Sequence, residues 1–123
     1  MPILEIEVVG ETDPTARPDL AQELAEAAGA ALGAPPGGTW VRLHRLGPEG
    51  YGESGGGPPE GDLPVFVSVL VRAVPEGAAL QAEVRRLTEA IAGLVDRSPG
   101  RVHVRYEPPA AGRQAFGGRL VGE

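Results

Sequence analysis

The sequence contains no cysteine and no lysine, and its aromatic residues are one tryptophan, two tyrosines and two phenylalanines. Without cysteine it forms neither a disulfide framework nor a thiolate zinc site. Two histidines do not suggest a metal site, and the glycine-rich stretch lacks the Gly-Lys-Ser/Thr of a P-loop, so we expect no metal and no cofactor. No apolar run reaches the roughly 18 residues of a membrane span, and no leader pattern indicates secretion. We therefore expect a cytoplasmic protein that does not enter a membrane.

Positive charge is also scarce, because the formal net charge is −6 and the isoelectric point is about 4.9. An acidic chain lacks the attraction to phosphates on which nucleic-acid binding depends, so we expect no nucleic-acid partner. All eleven basic residues are arginine, and we attribute most of them to genomic base composition. A few stand where the planar fork of a guanidinium is able to hold a carboxylate.

Glycine and proline are abundant, with 19 and 13 residues, and they separate the segments of a chain whose 123 residues suit one compact domain. Alternating apolar residues predict four strands, at residues 3–9, 39–46, 63–72 and 101–106. Apolar residues at helical spacing predict two helices. The first runs from about Arg17 or Pro18 to Leu32, and the second carries Leu80, Val84, Leu87, Ile91 and Leu94.

The two halves of the chain match, which indicates an internal duplication with repeats at about residues 1–62 and 63–123. Pro2 corresponds to Pro64 and Arg42 to Arg105, at offsets of 62 and 63 residues. If each repeat is a right-handed β-α-β crossover, its two strands are parallel. Two such repeats predict an α+β fold, a four-stranded mixed sheet with both helices on one face. The open face then needs a cover, and we expect self-association to supply one.

The chain starts with a proline directly behind the initiator methionine, at the head of an apolar strand. If Met1 is removed, Pro2 carries a free secondary amine, and a solvated α-amine titrates at about 7.7–8.0. Burial or a nearby cation lowers that pKa, and a base near neutral pH suits proton abstraction from carbon. The plain alternative is that Pro2 only begins a strand, a position that proline tolerates.

Several short motifs resemble one family, the tautomerase superfamily, whose members are built from β-α-β units and begin with a catalytic proline. The first half resembles a 4-oxalocrotonate tautomerase unit through Pro2-Ile3 to Gly10, Ala34-Pro35, Val41-Arg42-Leu43 and Gly55-Gly56. The second half resembles cis-3-chloroacrylic acid dehalogenase through Gly61-Asp62, Phe66-Val67, Leu70, Arg72, Val95-Asp96-Arg97 and Glu107-Pro108-Pro109-Ala110. The duplicated length is similar to that of the trimeric branches, including macrophage migration inhibitory factor, which implies a homotrimer.

The resemblance implies roles for five residues. Pro2 matches the general acid or base, and Arg72 matches a substrate-carboxylate arginine of the dehalogenase branch. Arg42 and Arg105 match, in successive repeats, the strand arginine that the tautomerase places on a substrate carboxylate. Phe116 matches the aromatic residue of the apolar pocket wall. The implied substrate is a small carboxylate anion.

One more candidate follows from composition rather than from the resemblance. Residues 47–62 contain seven glycines and three prolines, which predicts a loop. Tyr51 lies in this loop and is a candidate to close over a substrate. A plain linker is an equal alternative for the segment.

The sequence also departs from both branches. Glu11 stands where the tautomerase has an arginine. The dehalogenase also has a second arginine shortly after the one that Arg72 matches, and this chain lacks it, since the corresponding position falls near Pro75. Ala115 or its neighbours occupy the place of the glutamate that activates water in the dehalogenase. These departures disfavour hydrolytic dehalogenation, whereas a proton shuttle by Pro2 needs no activated water.

The resulting hypothesis is an isomerase that interconverts keto and enol forms of a small 2-keto or 2-hydroxy-dienoic acid, with Pro2 as general acid or base. A hydratase similar to cis-3-chloroacrylic acid dehalogenase is one alternative. The other is a non-catalytic ferredoxin-like domain that binds a small molecule, has an antiparallel sheet, and uses Arg42 and Arg105 only structurally.

Overall fold

The strands and helices follow one another as two successive β-α-β units. The computed structural model describes residues 2–57 and 61–122. The first unit comprises β1 (Ile3–Val9), α1 (Leu20–Ala31) and β2 (Trp40–Leu46), and the second comprises β3 (Val65–Leu70), α2 (Gly77–Val95) and β4 (Val102–Tyr106). A small hairpin of β5 (Ala115–Phe116) and β6 (Arg119–Leu120) follows, and short 3₁₀ turns lie at Pro48–Gly50 and Pro99–Arg101.

The sheet has the strand order β2-β1-β3-β4. Strand β1 is parallel to β2, β3 is parallel to β4, and the central pair β1–β3 is antiparallel, with Ile6 opposite Val67. The predicted four-stranded mixed sheet is therefore confirmed. The antiparallel sheet of the ferredoxin-like alternative is not what this chain forms, because the two strands of each β-α-β unit are adjacent and pair directly in parallel.

The core lies between one face of the sheet and both helices. Alternate residues of β1 and β3 point to the same face, and these are the residues withdrawn from solvent, at 2% exposure or less. Opposite them lie the apolar stripes of α1 and α2. The side chains that meet in this layer include Leu4, Ile6, Val8, Val65, Val67, Val69, Leu20, Leu24, Ala28, Leu87, Ile91 and Val95.

Two helix predictions need correction. Helix α1 begins at Leu20, not at Arg17 or Pro18, because the segment before it forms turns. The buried stripe of α2 is rotated from the predicted one. Val84 and Leu94 are half-buried, whereas Glu83 and Val95 lie inside the core layer. The spacing in the sequence is compatible with burial of either residue in each adjacent pair, Glu83 or Val84 and Leu94 or Val95. The position of the helix on the sheet decides which residue of each pair is buried.

Arg97, which follows the end of α2 in the chain, joins the two repeats. The Arg97 guanidinium donates hydrogen bonds to the carbonyl oxygens of Leu63, at 2.7 Å, and Val9, at 2.8 Å. One planar donor group therefore holds the end of β1 beside the start of the second repeat. Within the described residues, no helix is long and apolar enough to cross a membrane.

Leu87 tests the packing of α2 on the sheet. It is fully buried, so Leu87→Ala leaves a cavity, and we expect the free energy of unfolding to fall by about 2–5 kcal/mol. Urea unfolding followed by circular dichroism measures this change. Gln81→Ala on the exposed face of the same helix is the control, with a change of less than about 0.5 kcal/mol. Equal losses in the two variants would contradict the assigned packing.

Candidate active site

Pro2 lies at the edge of a cleft at one end of the sheet. Its carbonyl oxygen accepts a hydrogen bond from the backbone N–H of Trp40 at 3.0 Å, which fixes the start of β1 against β2. Pro2 is half-buried and has the same strand parity as Leu4, so it belongs to the helix-covered face. The cleft has a volume of about 320 Å³ and is lined by Pro2, Leu32, Ala34, Pro35, Val71, Arg72, Ala73 and Glu83.

Arg72 lies in the same cleft because of the antiparallel pairing of the two central strands. Ile3 pairs with Leu70, so the residues just before β1 and just after β3 meet at one end of the sheet. Arg72 is exposed, and its charge faces an otherwise largely apolar lining. The predicted proton-transfer residue and the predicted carboxylate-binding residue therefore meet within one chain.

Glu83 is a component of the cleft that the sequence analysis missed. Its side chain is only 9% exposed, and its Oε2 accepts a hydrogen bond from the Tyr106 hydroxyl at 2.5 Å. Glu83 lies three residues after Leu80 and four before Leu87, inside the apolar stripe of α2. A charged residue at such a position is the sequence feature that would have identified it.

Tyr106 of β4 is affected by this contact. Burial, followed by the hydrogen bond to Glu83, raises the pKa of the Tyr106 phenol well above its ordinary value. The phenol is therefore a hydrogen-bond donor at every physiological pH. The Tyr106 hydroxyl on β4 thus holds one carboxylate oxygen of Glu83 on α2 in place.

The two repeat-related arginines lie on the opposite face of the sheet. The Arg42 guanidinium is 2.6 Å from Glu5 Oε1, and His44 Nε2 is 3.2 Å from the same oxygen. Arg105 contacts Glu107 at 3.2 Å and Ser68 Oγ at 3.4 Å. Neither arginine lines the Pro2 cleft of its own chain.

The ion pairs on this open face change one pKa. The hydrogen bond from Arg42 holds the pKa of the Glu5 carboxyl below its usual range, and His44 contributes less. Glu5 is therefore ionised at neutral pH and offsets the charge of Arg42. These contacts are consistent with a structural role for Arg42 and Arg105, and their substrate role stays a prediction.

Phe116 and Tyr51 also lie outside the Pro2 cleft. The Phe116 ring packs edge-on against Trp40, with 5.2 Å between centroids. The Tyr51 ring lies 6.0 Å from Phe66, on the open face, and its hydroxyl donates to Glu53. Arg101 binds the same carboxylate at 2.6 Å, so the described part of the glycine-rich loop is tied to the start of β4.

Residues 2–57 and 61–122 contain no cluster of side chains that could bind a metal ion. No group of three or more histidine, aspartate or glutamate side chains converges there. The chemical groups that the cleft does bring together are an imino acid, a guanidinium and a carboxylate supported by a phenol. Such a set is suited to binding an anion and moving a proton.

We compared the chain with protein-family models, curated proteins and solved structures. No protein-family model and no curated protein matches the sequence. Solved structures do match, and the F6 fused 4-OT asymmetric trimer is similar with a TM-score of 0.75 and 23% identity, over 96% of this chain and 94% of that one. The architecture is therefore the tautomerase fold, as the sequence resemblance predicted.

Two further structures show the range of proteins that share this architecture. A member of the cis-3-chloroacrylic acid dehalogenase family, N1, has a TM-score of 0.69 and 20% identity, over 98% of this chain and 84% of its own. A protein inactivated by 2-oxo-3-pentynoate has a TM-score of 0.66 and 18% identity, over 97% and 94%. At these identities the likeness establishes the fold and leaves the reaction to be argued from the cleft.

The Tyr106–Glu83 contact predicts an unusual alkaline titration. Because the folded-state pKa of Tyr106 is raised, its contribution to stability is complete below pH about 10, the unfolded value, and is lost as the pH rises through the folded pKa. In a Tyr51→Phe variant, tyrosinate absorbance reports Tyr106 alone, and we expect it to appear well above pH 10 in the folded protein.

Adding Glu83→Gln to that variant removes the adjacent negative charge, so tyrosinate should then form at lower pH. The burial of the ring remains and keeps the pKa above the ordinary value. A titration identical in the two variants would show that Glu83 does not contact the phenol.

Proposed function

We propose that this protein is a tautomerase that interconverts the keto and enol forms of a small 2-keto acid. The observation that carries the proposal is the meeting of Pro2 and Arg72 in one partly apolar cleft. Processing of Met1 would give Pro2 a basic secondary amine at that place. The matching fold of a protein inactivated by 2-oxo-3-pentynoate, itself a 2-keto acid, supports this substrate class.

In the proposed reaction, the Pro2 nitrogen takes a proton from the carbon next to the carbonyl. The C–H electron pair becomes the carbon–carbon double bond, and the carbonyl π pair moves onto oxygen. Arg72 binds the carboxylate and stabilises the developing enolate charge. A proton returned to the oxygen completes the enol, and the reverse sequence restores the keto acid. No electrons leave or enter the substrate.

The cleft contributes position as well as charge. Leu32, Ala34 and Val71 line it with apolar groups, which exclude part of the water that would otherwise solvate the amine. Desolvation favours the neutral amine, whereas a nearby anion favours the protonated one. A general acid or base works best when its pKa lies close to the working pH, and this cleft offers both influences.

We also propose that the protein is a homotrimer, as the fused 4-OT structure of the same fold is a trimer. The open face of the sheet supports association, because Trp40 and Phe66 are 54% and 38% exposed there. Arg42 and Arg105 lie on that face, so in an assembly they would reach a cleft of a neighbouring chain rather than their own.

Addition of water to an unsaturated or halogenated acid is the second candidate function. The fold of the cis-3-chloroacrylic acid dehalogenase relative N1 supports it, and Glu83 places a carboxylate in the Pro2 cleft, although Ala115 or its neighbours stand at the sequence position of the dehalogenase glutamate. Halide release from 3-haloacrylates is the discriminating assay. Release that depends on Pro2 and Glu83 would favour the hydratase.

Pro2→Ala is the direct test of the proton-transfer role. Alanine keeps a free amino terminus after methionine removal but changes a constrained secondary amine into a primary one. We expect turnover of phenylenolpyruvate, followed by its ultraviolet absorbance, to fall by about 10²- to 10⁴-fold, the usual contribution of general acid–base catalysis. Pro64→Ala makes the same exchange at the corresponding position of the second repeat and should retain most activity.

Intact mass decides whether the amine exists. A mature chain lighter by one methionine carries the free Pro2 nitrogen that the proposal needs. Retention of Met1, or unchanged turnover in Pro2→Ala, would eliminate this mechanism.

Arg72→Gln tests the binding of the substrate carboxylate. Loss of a charge-assisted hydrogen bond costs about 1.5–3 kcal/mol, so we expect KM for phenylenolpyruvate to rise by about 10- to 100-fold. Arg85→Gln removes an exposed arginine from α2 and serves as the control for net charge. If both variants changed KM equally, Arg72 would act through the overall charge and not through contact.

A further inference from the structure

Glu83 is the buried charged side chain of the core layer among the described residues. Removing a carboxylate from water is costly unless hydrogen bonds or an opposite charge compensate. Tyr106 satisfies Oε2, and no described residue donates a hydrogen bond to Oε1. A carboxylate held by one oxygen beside a cleft leaves the other oxygen for a group within that cleft.

The groups around this carboxylate come from four elements. Pro2 precedes β1, Arg72 follows β3, and Tyr106 belongs to β4. On α2 itself, Arg86 lies near Tyr106, where its charge opposes the rise in the Tyr106 pKa caused by burial and by Glu83. The Arg86 Nε donates to the carbonyl oxygen of Ala31 at 3.1 Å. Once Met1 is removed, the secondary amine of Pro2 would bring a further N–H donor into the cleft, in addition to the guanidinium of Arg72.

We propose that Glu83 is a positioning residue for Pro2: its free oxygen accepts a hydrogen bond from the Pro2 amine and holds that amine in the protonated form. This inference rests on the proposed function, because it requires the mature amine. An anion close to an amine raises the pKa of the amine, whereas the apolar lining acts in the opposite direction.

The protonation state of Pro2 determines whether the resting protein is ready for the keto or the enol form of the substrate. A protonated Pro2 is the acid that delivers a proton to the carbon of an enol, with Arg72 binding the carboxylate. The resting cleft is then prepared for the 2-hydroxy, enol form, and ketonisation begins without prior proton uptake. The acid form is lost above the pKa of Pro2, so the rate with an enol substrate falls on the alkaline side.

Glu83→Gln removes the charge while its amide oxygen still accepts the Tyr106 hydrogen bond. The Pro2 amine is titrated by NMR on protein labelled with ¹⁵N-proline, without substrate, and the pH profile of kcat/KM is measured with phenylenolpyruvate. We expect the pKa of the amine, and with it the alkaline limb of the profile, to move down by about one pH unit or more. Glu89→Gln, an exposed residue of the same helix, removes the same charge and should move neither.

The outcomes separate the two proposals. If Pro2→Ala abolishes turnover but Glu83→Gln leaves the titration of the amine unchanged, the positioning role is overturned and the proposed function stands. If the titration moves but no keto acid is turned over, the function is overturned and the ion pair stands. If Glu83→Gln fails to fold, the wild-type titration decides: a pKa above about 8, the solvated value, supports the pair, and a lower one overturns it.

Discussion

The alternation of side chains along a strand is the constraint on which the rest of this structure depends. Both helices cover one face of the sheet, so Leu4, Ile6 and Val8 of β1 are buried, whereas Glu5 and Glu7 lie on the opposite face. Pro2 shares the parity of Leu4 and lies beside the helices, whereas Glu5 faces outward and pairs with Arg42. A shift of one residue in the pairing would exchange these two environments.

The duplicated architecture is not symmetric in its chemistry. The end of the sheet near Pro2 is a cleft with a guanidinium and a carboxylate in its lining. At the corresponding end of the second repeat, Pro64 is fully buried, and Arg97 bridges the carbonyl oxygens of Leu63 and Val9. The two ends of the central strand pair therefore differ, because residues of both repeats form the candidate cleft at one end and the Arg97 brace at the other.

The outward face of the sheet combines two kinds of surface. Paired charges such as Arg42 and Glu5 are largely solvated, and such pairs contribute little to stability. Trp40 and Phe66 expose aromatic area on the same face. An association that covers this face would bury the aromatic rings, whereas taking the ion pairs out of water would cost desolvation free energy that their stronger attraction has to offset.

The sequence by itself determined the element order and the duplication, because these follow from local periodicity and repeat spacing, and the right-handed crossover rule then predicted the sheet. The candidacy of Pro2 came from its place behind Met1, and that of Arg72 came from the family resemblance. The choice of Val95 and Glu83 over Leu94 and Val84 as buried positions was a matter for the tertiary structure. Adjacent helix positions differ by about 100°, and only docking on the sheet selects between them. The same docking decided that Glu83 meets Tyr106 beside Pro2, and that Arg42 and Arg105 face away from it. Such meetings join residues far apart in the chain, and no local pattern specifies them.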